Sequence, residues 1–143
     1  MQHYQIPAQL IEIEITEQSL AERGSECVIR TIHKLKQAGI RISLDDFGTG
    51  HSSLTHLRDY PVDSLKIDCD FVNRVNSDKS IKAIVEAIIK LGPVLSLDII
   101  AEGIETKEQF ETLKQFGCHF GQGYLFSNAV NQDEAKQMLK AAS

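Results

Sequence analysis

Apolar and charged residues alternate along Gln9-Leu10-Ile11-Glu12-Ile13-Glu14-Ile15, a period of two that predicts a strand over residues 9–15. The period then lengthens. Val28, Ile32 and Leu35 recur at helical spacing and predict a helix over 26–38 that ends at Gly39. A second strand follows in Arg41-Ile42-Ser43-Leu44-Asp45-Asp46, closed by the turn-forming run Phe47-Gly48-Thr49-Gly50. A short helix opens near Ser52 and Ser53, and residues 63–68 form a third strand. Ile81, Ile84, Val85 and Ile88 then mark a helix over 80–91, with Gly92-Pro93 as its expected stop. Residues 97–102 are again strand-like. Thr106 and Gln109 make a capping box for a helix that carries Phe110 and Leu113 and closes at Gly117. A last strand near 118–122 precedes a helix capped by Asn131 and Glu134. About five βα units therefore run end to end, with no linker, repeat or low-complexity segment. Parallel strands with crossover helices are the expected result.

The two faces of the strands differ. Ile11, Ile13 and Ile15 share one face of the first strand, and Glu12 and Glu14 the other. Ile42 and Leu44 oppose Arg41, Ser43 and Asp45; Leu65 and Ile67 oppose Lys66 and Asp68. An open doubly wound sheet would bury those charges between helices. A closed barrel with a polar mouth brings them instead to a solvated site, so the fold class expected is α/β, a partial TIM-type (β/α) barrel of about five units. On this reading the charges are placed for chemistry rather than for packing.

A chain of 143 residues is one domain by length, with 42% hydrophobic and 24% charged residues. Its net charge of −5 argues against a general grip on a nucleic acid polymer. Cys27, Cys69 and Cys118 form neither a disulfide framework nor a zinc signature, which favours a reducing, cytoplasmic setting. The apolar run 81–91 is broken by Lys82, Glu86 and Lys90, so no membrane insertion is expected, and no signal-peptide pattern opens the chain.

The candidate chemistry starts at Asp45-Asp46. Adjacent carboxylates repel, so the pair calls for a cation, a basic partner or open solvent, and a solvated turn is the competing reading. Lys66 is out of place for packing, because lysine seldom occupies a barrel strand unless paired. Asp68 shares its face and can hold a metal or the lysine. Glu102, at a strand end, is open to general-base work. Asp46-Phe47-Gly48 spells a kinase tripeptide, but no catalytic or phosphate loop accompanies it. The run 48–53 lacks the lysine of a P-loop, and His3, His33, His51, His56 and His119 show no metal-ligand spacing.

Five segments in order carry a resemblance: Glu14-Ile15-Thr16-Glu17, Asp45-Asp46-Phe47-Gly48-Thr49-Gly50, Leu65-Lys66-Ile67-Asp68, Ala101-Glu102-Gly103-Ile104-Glu105-Thr106 and Gly121-Gln122-Gly123-Tyr124-Leu125-Phe126. They resemble successive motifs of the EAL-domain family, bacterial cyclic di-GMP phosphodiesterases built on a modified TIM barrel. The resemblance covers about residues 10–127, within a single truncated EAL-type domain over 1–143. It implies Mg²⁺ or Mn²⁺ as cofactor, with Glu14, Asp45 and Asp46 as metal ligands and Asp45 shared between two ions. It further implies that Lys66 positions the attacking water and that Glu102 is the base or orients that water. Glu105 would steady the Asp45-Asp46 loop, and Gln122 would orient the site. The Gly48–Gly50 loop would couple metal binding to dimer contacts. Substrate and setting follow from the same likeness: cyclic di-GMP, hydrolysed to the linear dinucleotide in bacterial second-messenger signalling.

The likeness has gaps. The Glu-Ala-Leu motif, whose glutamate is a metal ligand in the family, does not occur here, nor does the family's asparagine ligand. Ser127-Asn128-Ala129 replaces the usual basic and proline ending. Met1 stands just before what resembles the middle strand of the barrel. Five units leave two sheet edges to cover, so self-association or a complementary N-terminal EAL segment is the expected partner. The alternative to hydrolysis is a non-catalytic module that binds cyclic di-GMP or a protein.

Overall fold

The computed structural model describes residues 6–16, 18–19, 25–48 and 60–141. The helix expected near Ser52 and Ser53, and also Glu17, Thr49, Gly50, His51 and His56, lie outside these. After a 3-10 turn at Ala8–Leu10, the strands are β1 Glu12–Thr16, β2 Arg41–Phe47, β3 Ser64–Ile67, β4 Asp98–Ala101 and β5 Phe120–Gly121. The helices are α1 Ser25–Gln37, α2 Cys69–Arg74, α3 Lys79–Leu95, α4 Lys107–Phe116 and α5 Gln132–Ala141.

All the strand pairs are parallel, and their spatial order is β1-β2-β3-β4-β5. A doubly wound sheet reverses direction at a switch point. This one never does, so each βα unit adds the next stave of a (β/α) barrel, and the described residues form an arc of one.

The apolar strand positions fall on the helix side as their period requires. Ile42, Leu44, Leu65, Ile67, Ile99 and Ala101 are buried with Ile32, Val72, Val85, Ile88, Ile89 and Leu113 from the helices. Each such aliphatic side chain contributes about 1.5–3 kcal/mol. Truncating one, as in Ile42→Ala, costs about 2–5 kcal/mol because the cavity adds to the lost transfer energy.

The opposite face carries charge, and part of it is structural. At the N-terminal end, Arg41 pairs with Glu12 at 3.1 Å and with Asp98 at 2.6 Å, spanning β3 to join three strands. On the helix side, Asp63 makes a second tie. Its carboxylate takes Lys36 Nζ at 2.6 Å and the Ile42 N–H at 2.9 Å, while its own N–H donates to the Ile42 carbonyl.

Several boundaries differ from those expected. Strand β1 starts at Glu12 rather than Gln9, because Ala8–Leu10 coil into the 3-10 turn. Strand β5 has two residues, not the five of 118–122. Helix α3 runs through Gly92-Pro93 to Leu95 and ends on Ser96 in the left-handed region, φ 57°. Gly92 is there for packing, since a Cβ on it would stand 2.5 Å from Ile99 Cγ1. The Thr106–Gln109 capping box, the Gly117 stop and the Asn131–Glu134 cap all form. Helix α2, capped by Asp68, was not apparent from the periodicity.

Candidate functional site

Strand β2 slips register near its tip. Leu44 faces Leu65 while Phe47 faces Ile67, so one extra residue is accommodated on β2. Such a bulge re-aims side chains. Asp46 completes it in the left-handed conformation, φ 57°, and donates its N–H to Asp45 Oδ1 at 3.0 Å. Burial pushes the Asp46 carboxyl above its ordinary value, and the charges of Asp45 and Asp68 add to the push. In a regular strand adjacent side chains diverge. Here both aspartates feel the same cluster of charge.

Lys66 lies at the centre of that cluster. It is only 5% exposed, on the inner face of β3. Its Nζ is 2.6 Å from Glu14 Oε1, 2.6 Å from Glu102 Oε1 and 3.5 Å from Asp45 Oδ1. Burial favours the neutral amine, but the hydrogen bonds to Glu102 and Glu14 outweigh it and hold Lys66 protonated. The same burial raises the Glu102 carboxyl, against the pull of the Lys66 ammonium. Gln122 Nε2 donates to Glu102 Oε1 at 2.6 Å. Four strand ends and the turn after β5 thus converge on one mouth at the C-terminal end of the sheet, where (β/α) barrels keep their chemistry.

The backbone holds the Glu102 segment in place. The Glu102 N–H donates to the Ile67 carbonyl and the Gln122 N–H to the Ala101 carbonyl, extending the ladders past the strand ends. The Ile104 N–H bonds the Gln122 carbonyl, and Leu125 N–H bonds the Ile104 carbonyl. That approach requires Gly123, where a Cβ would fall 2.2 Å from the Ile104 oxygen.

Two of the expected residues also take part in local structure. Asp68 is not bonded to Lys66; its Oδ1 accepts the Asp70 N–H at 2.8 Å and caps α2. With Cys69 and Asp70 it makes a compact group of possible ligand atoms. The Glu105 side chain is exposed, and its N–H donates to Gln109 Oε1 at 2.8 Å. Gln109 itself was legible only as a cap. Its reach to Asn73 on α2, 3.4 Å from Nε2 to Oδ1, is a nonlocal contact with no sequence signal.

The donor chemistry suits a divalent cation. Among the described residues, the charges of Asp45, Asp68 and Glu14 act on Asp46, and those of Asp45 and Glu14 on Glu102, around the ammonium of Lys66. That leaves an excess of hard oxygen ligands for Mg²⁺ or Mn²⁺. Among the described residues, no helix is long and apolar enough to cross a membrane.

Comparison with known proteins agrees with this architecture. The sequence profile described as EAL domain matches residues 1–129. The probable cyclic di-GMP phosphodiesterase PdeB of Escherichia coli K12 is 42% identical over 132 residues, which is 92% of this chain and 24% of that protein. The chain thus spans about a quarter of that relative's length. The crystal structure of the EAL domain of Mycobacterium smegmatis DcpA superposes with a TM-score of 0.92 at 35% identity, over 99% of this chain and 63% of that one. Klebsiella pneumoniae BlrP1, in a manganese and cyclic di-GMP complex, gives a TM-score of 0.81 at 29% identity, over 86% of this chain and 31% of that one. Fold, ordered motifs and profile agree, and the chain belongs to the EAL domain family.

Proposed function

We propose that this chain acts on cyclic di-GMP as a metal-dependent phosphodiesterase, releasing the linear dinucleotide. The observation that carries the reading is the convergence of Lys66, Glu14, Asp45, Glu102 and Gln122 at the barrel mouth. Its company is a family whose members include PdeB, named a probable cyclic di-GMP phosphodiesterase, and BlrP1, crystallised with manganese and the dinucleotide.

The oxygen of a water attacks phosphorus in line, one P–O ester bond breaks, and the freed ribose oxygen takes up a proton. Glu102 accepts the proton of the attacking water. Burial raises its carboxyl above the ordinary value, and Gln122 fixes its orientation. Lys66 places a fixed positive charge against the phosphoryl oxygens. Glu14, Asp45 and Asp46 hold Mg²⁺ or Mn²⁺, with Asp68 as a neighbouring charge; the ion supplies Lewis-acid polarisation of the phosphate and charge neutralisation. Glu105, by its likeness to the family motif, steadies the Asp45-Asp46 loop.

The arc of strands has two outer edges, β1 and β5, and Glu14 on β1 keeps half of its side chain exposed. Complementary barrel strands, from a second copy or an N-terminal EAL segment, cover those edges in the working protein. The setting is the cytoplasm, in bacterial second-messenger signalling.

The test is product formation from cyclic di-GMP with Mg²⁺ or Mn²⁺, followed by chromatography, with Glu102→Gln as control. Conversion that the control lacks supports the reading. A folded chain that binds the dinucleotide without converting it is instead a non-catalytic module.

A further inference from the structure

Gln109 does more than cap α4. It is buried, and its Oε1 accepts two backbone N–H groups, from Glu105 at 2.8 Å and Thr106 at 2.9 Å. Its Nε2 points the other way, to Asn73 Oδ1 on α2. One turn along, Thr112 Oγ1 donates to Asn76 Oδ1 at 2.8 Å, so the same face of α4 is tied twice to α2 and the turn after it. The loop between Glu102 and Thr106 meets α2 at its other end as well. Gly103 adopts φ +67°, and a Cβ there would lie 2.5 Å from Cys69 Cβ, at the first residue of α2. The Asp68-capped helix and the Glu102 loop are therefore one packed unit, with Gln109 as its polar pin.

We propose that Gln109 is a positioning residue for Glu102, fixing the loop behind that carboxylate through the Glu105 and Thr106 N–H groups and keying it to α2 through Asn73. The proposal rests on the phosphodiesterase reading above for its kinetic consequence. Its structural content stands apart: without the Oε1 acceptor the loop loses two hydrogen bonds and Glu102 drifts from Lys66. Small misplacements of a catalytic group cost turnover more than binding.

Two substitutions separate the pin from mere packing. Gln109→Met keeps the volume and removes the acceptor; Gln109→Glu keeps the acceptor, and the Asn73 amide meets it by flipping. The Met variant is expected to lose kcat by about 10- to 100-fold with KM little changed, while the Glu variant recovers most of it. Hydrogen exchange at the Glu105 and Thr106 amides should speed up only in the Met variant. Parent-like kcat in a Met variant whose amides exchange fast overturns the proposal. If the Met variant does not fold, Asn73→Ala decides: a lower kcat at unchanged Tm supports the keying, and an unchanged kcat overturns it. If the parent itself shows no turnover, the phosphodiesterase reading fails separately. Exchange of the Lys66 ammonium protons, followed by NMR, then decides the positioning: faster in the Met variant supports it, and unchanged overturns it.

Discussion

Lys66 Nζ lies 2.6 Å from Glu102 Oε1, a cation from one strand against an acid from the end of the next, with Glu14 at the same distance from a third strand. One buried ammonium thus holds together acids that would otherwise repel. Removing only the cation strands the carboxylates, which is the costly way to break a buried pair.

Lys66→Met should therefore lower stability by about 1–3 kcal/mol, less than a fully buried pair because Glu14 is half exposed. On the proposed phosphodiesterase reading, turnover of cyclic di-GMP should fall by about 10²- to 10³-fold, the scale for loss of a charge aimed at the reacting oxygens. Urea unfolding and steady-state kinetics measure the two effects. A variant as stable as the parent would mean the three acids are already well solvated.

The Asp63 tie makes part of the stability acid-labile. Burial tends to raise its carboxyl, but the Lys36 ammonium and the Ile42 N–H prevail and its folded pKa lies below the ordinary 3.8. A depressed carboxyl stabilises the fold above its unfolded pKa and stops doing so as pH falls through the folded one. The gap between parent and Asp63→Asn should be full at pH 7, shrink once pH drops past about 4 and close in stronger acid. Chemical denaturation across that range checks it; a gap independent of pH would remove the ionic tie from the account.

Gly123 and Gly117 form a matched contrast. A Cβ at Gly123 would overlap the Ile104 backbone, whereas at Gly117 nothing lies within 4 Å. Gly117→Ala meets only the left-handed φ of +92°, a cost of about 1–2 kcal/mol. Gly123→Ala must also push the Gln122 turn away from Ile104, adding an overpacking cost of about 1–3 kcal/mol and loosening the Gln122–Glu102 bond. Thermal melts rank the two, and equal losses would show that the turn yields freely.

What the sequence made legible is what is local. The Thr106–Gln109 box needs residues three apart, and the Gly117 stop one residue with freedom at positive φ. The inward row of Glu14, Asp45 and Lys66 follows from a period of two. Nonlocal matters were hidden. Gly92-Pro93 looked like a stop because its packing partner, Ile99, comes from β4. Glu12 and Asp98 gave no sign that Arg41 would join them across β3. The bulge that turns Asp46 toward Asp45 exists only in the pairing of β2 with β3. Asp68 shared a pattern with Lys66, but its carboxylate accepts the Asp70 N–H and caps the helix that starts there, a helix too short for the periodicity to show.

Asp46 should show opposite signs with and without metal. Asn tolerates the left-handed backbone at φ 57° and keeps the N–H bond to Asp45, so Asp46→Asn changes charge with little strain. In chelator, losing one of several crowded carboxylates should stabilise the chain by about 0.5 kcal/mol. With Mn²⁺ at about a hundredfold its Kd, the parent should gain about 2.7 kcal/mol of stability by mass action. The Asn variant, without the carboxylate proposed as a ligand, should gain much less. The order of melting temperatures therefore reverses between the two conditions, independently of any assay of hydrolysis. An Asn variant that gains as much from Mn²⁺ as the parent would take Asp46 out of the metal site and leave Glu14 and Asp45 to hold it.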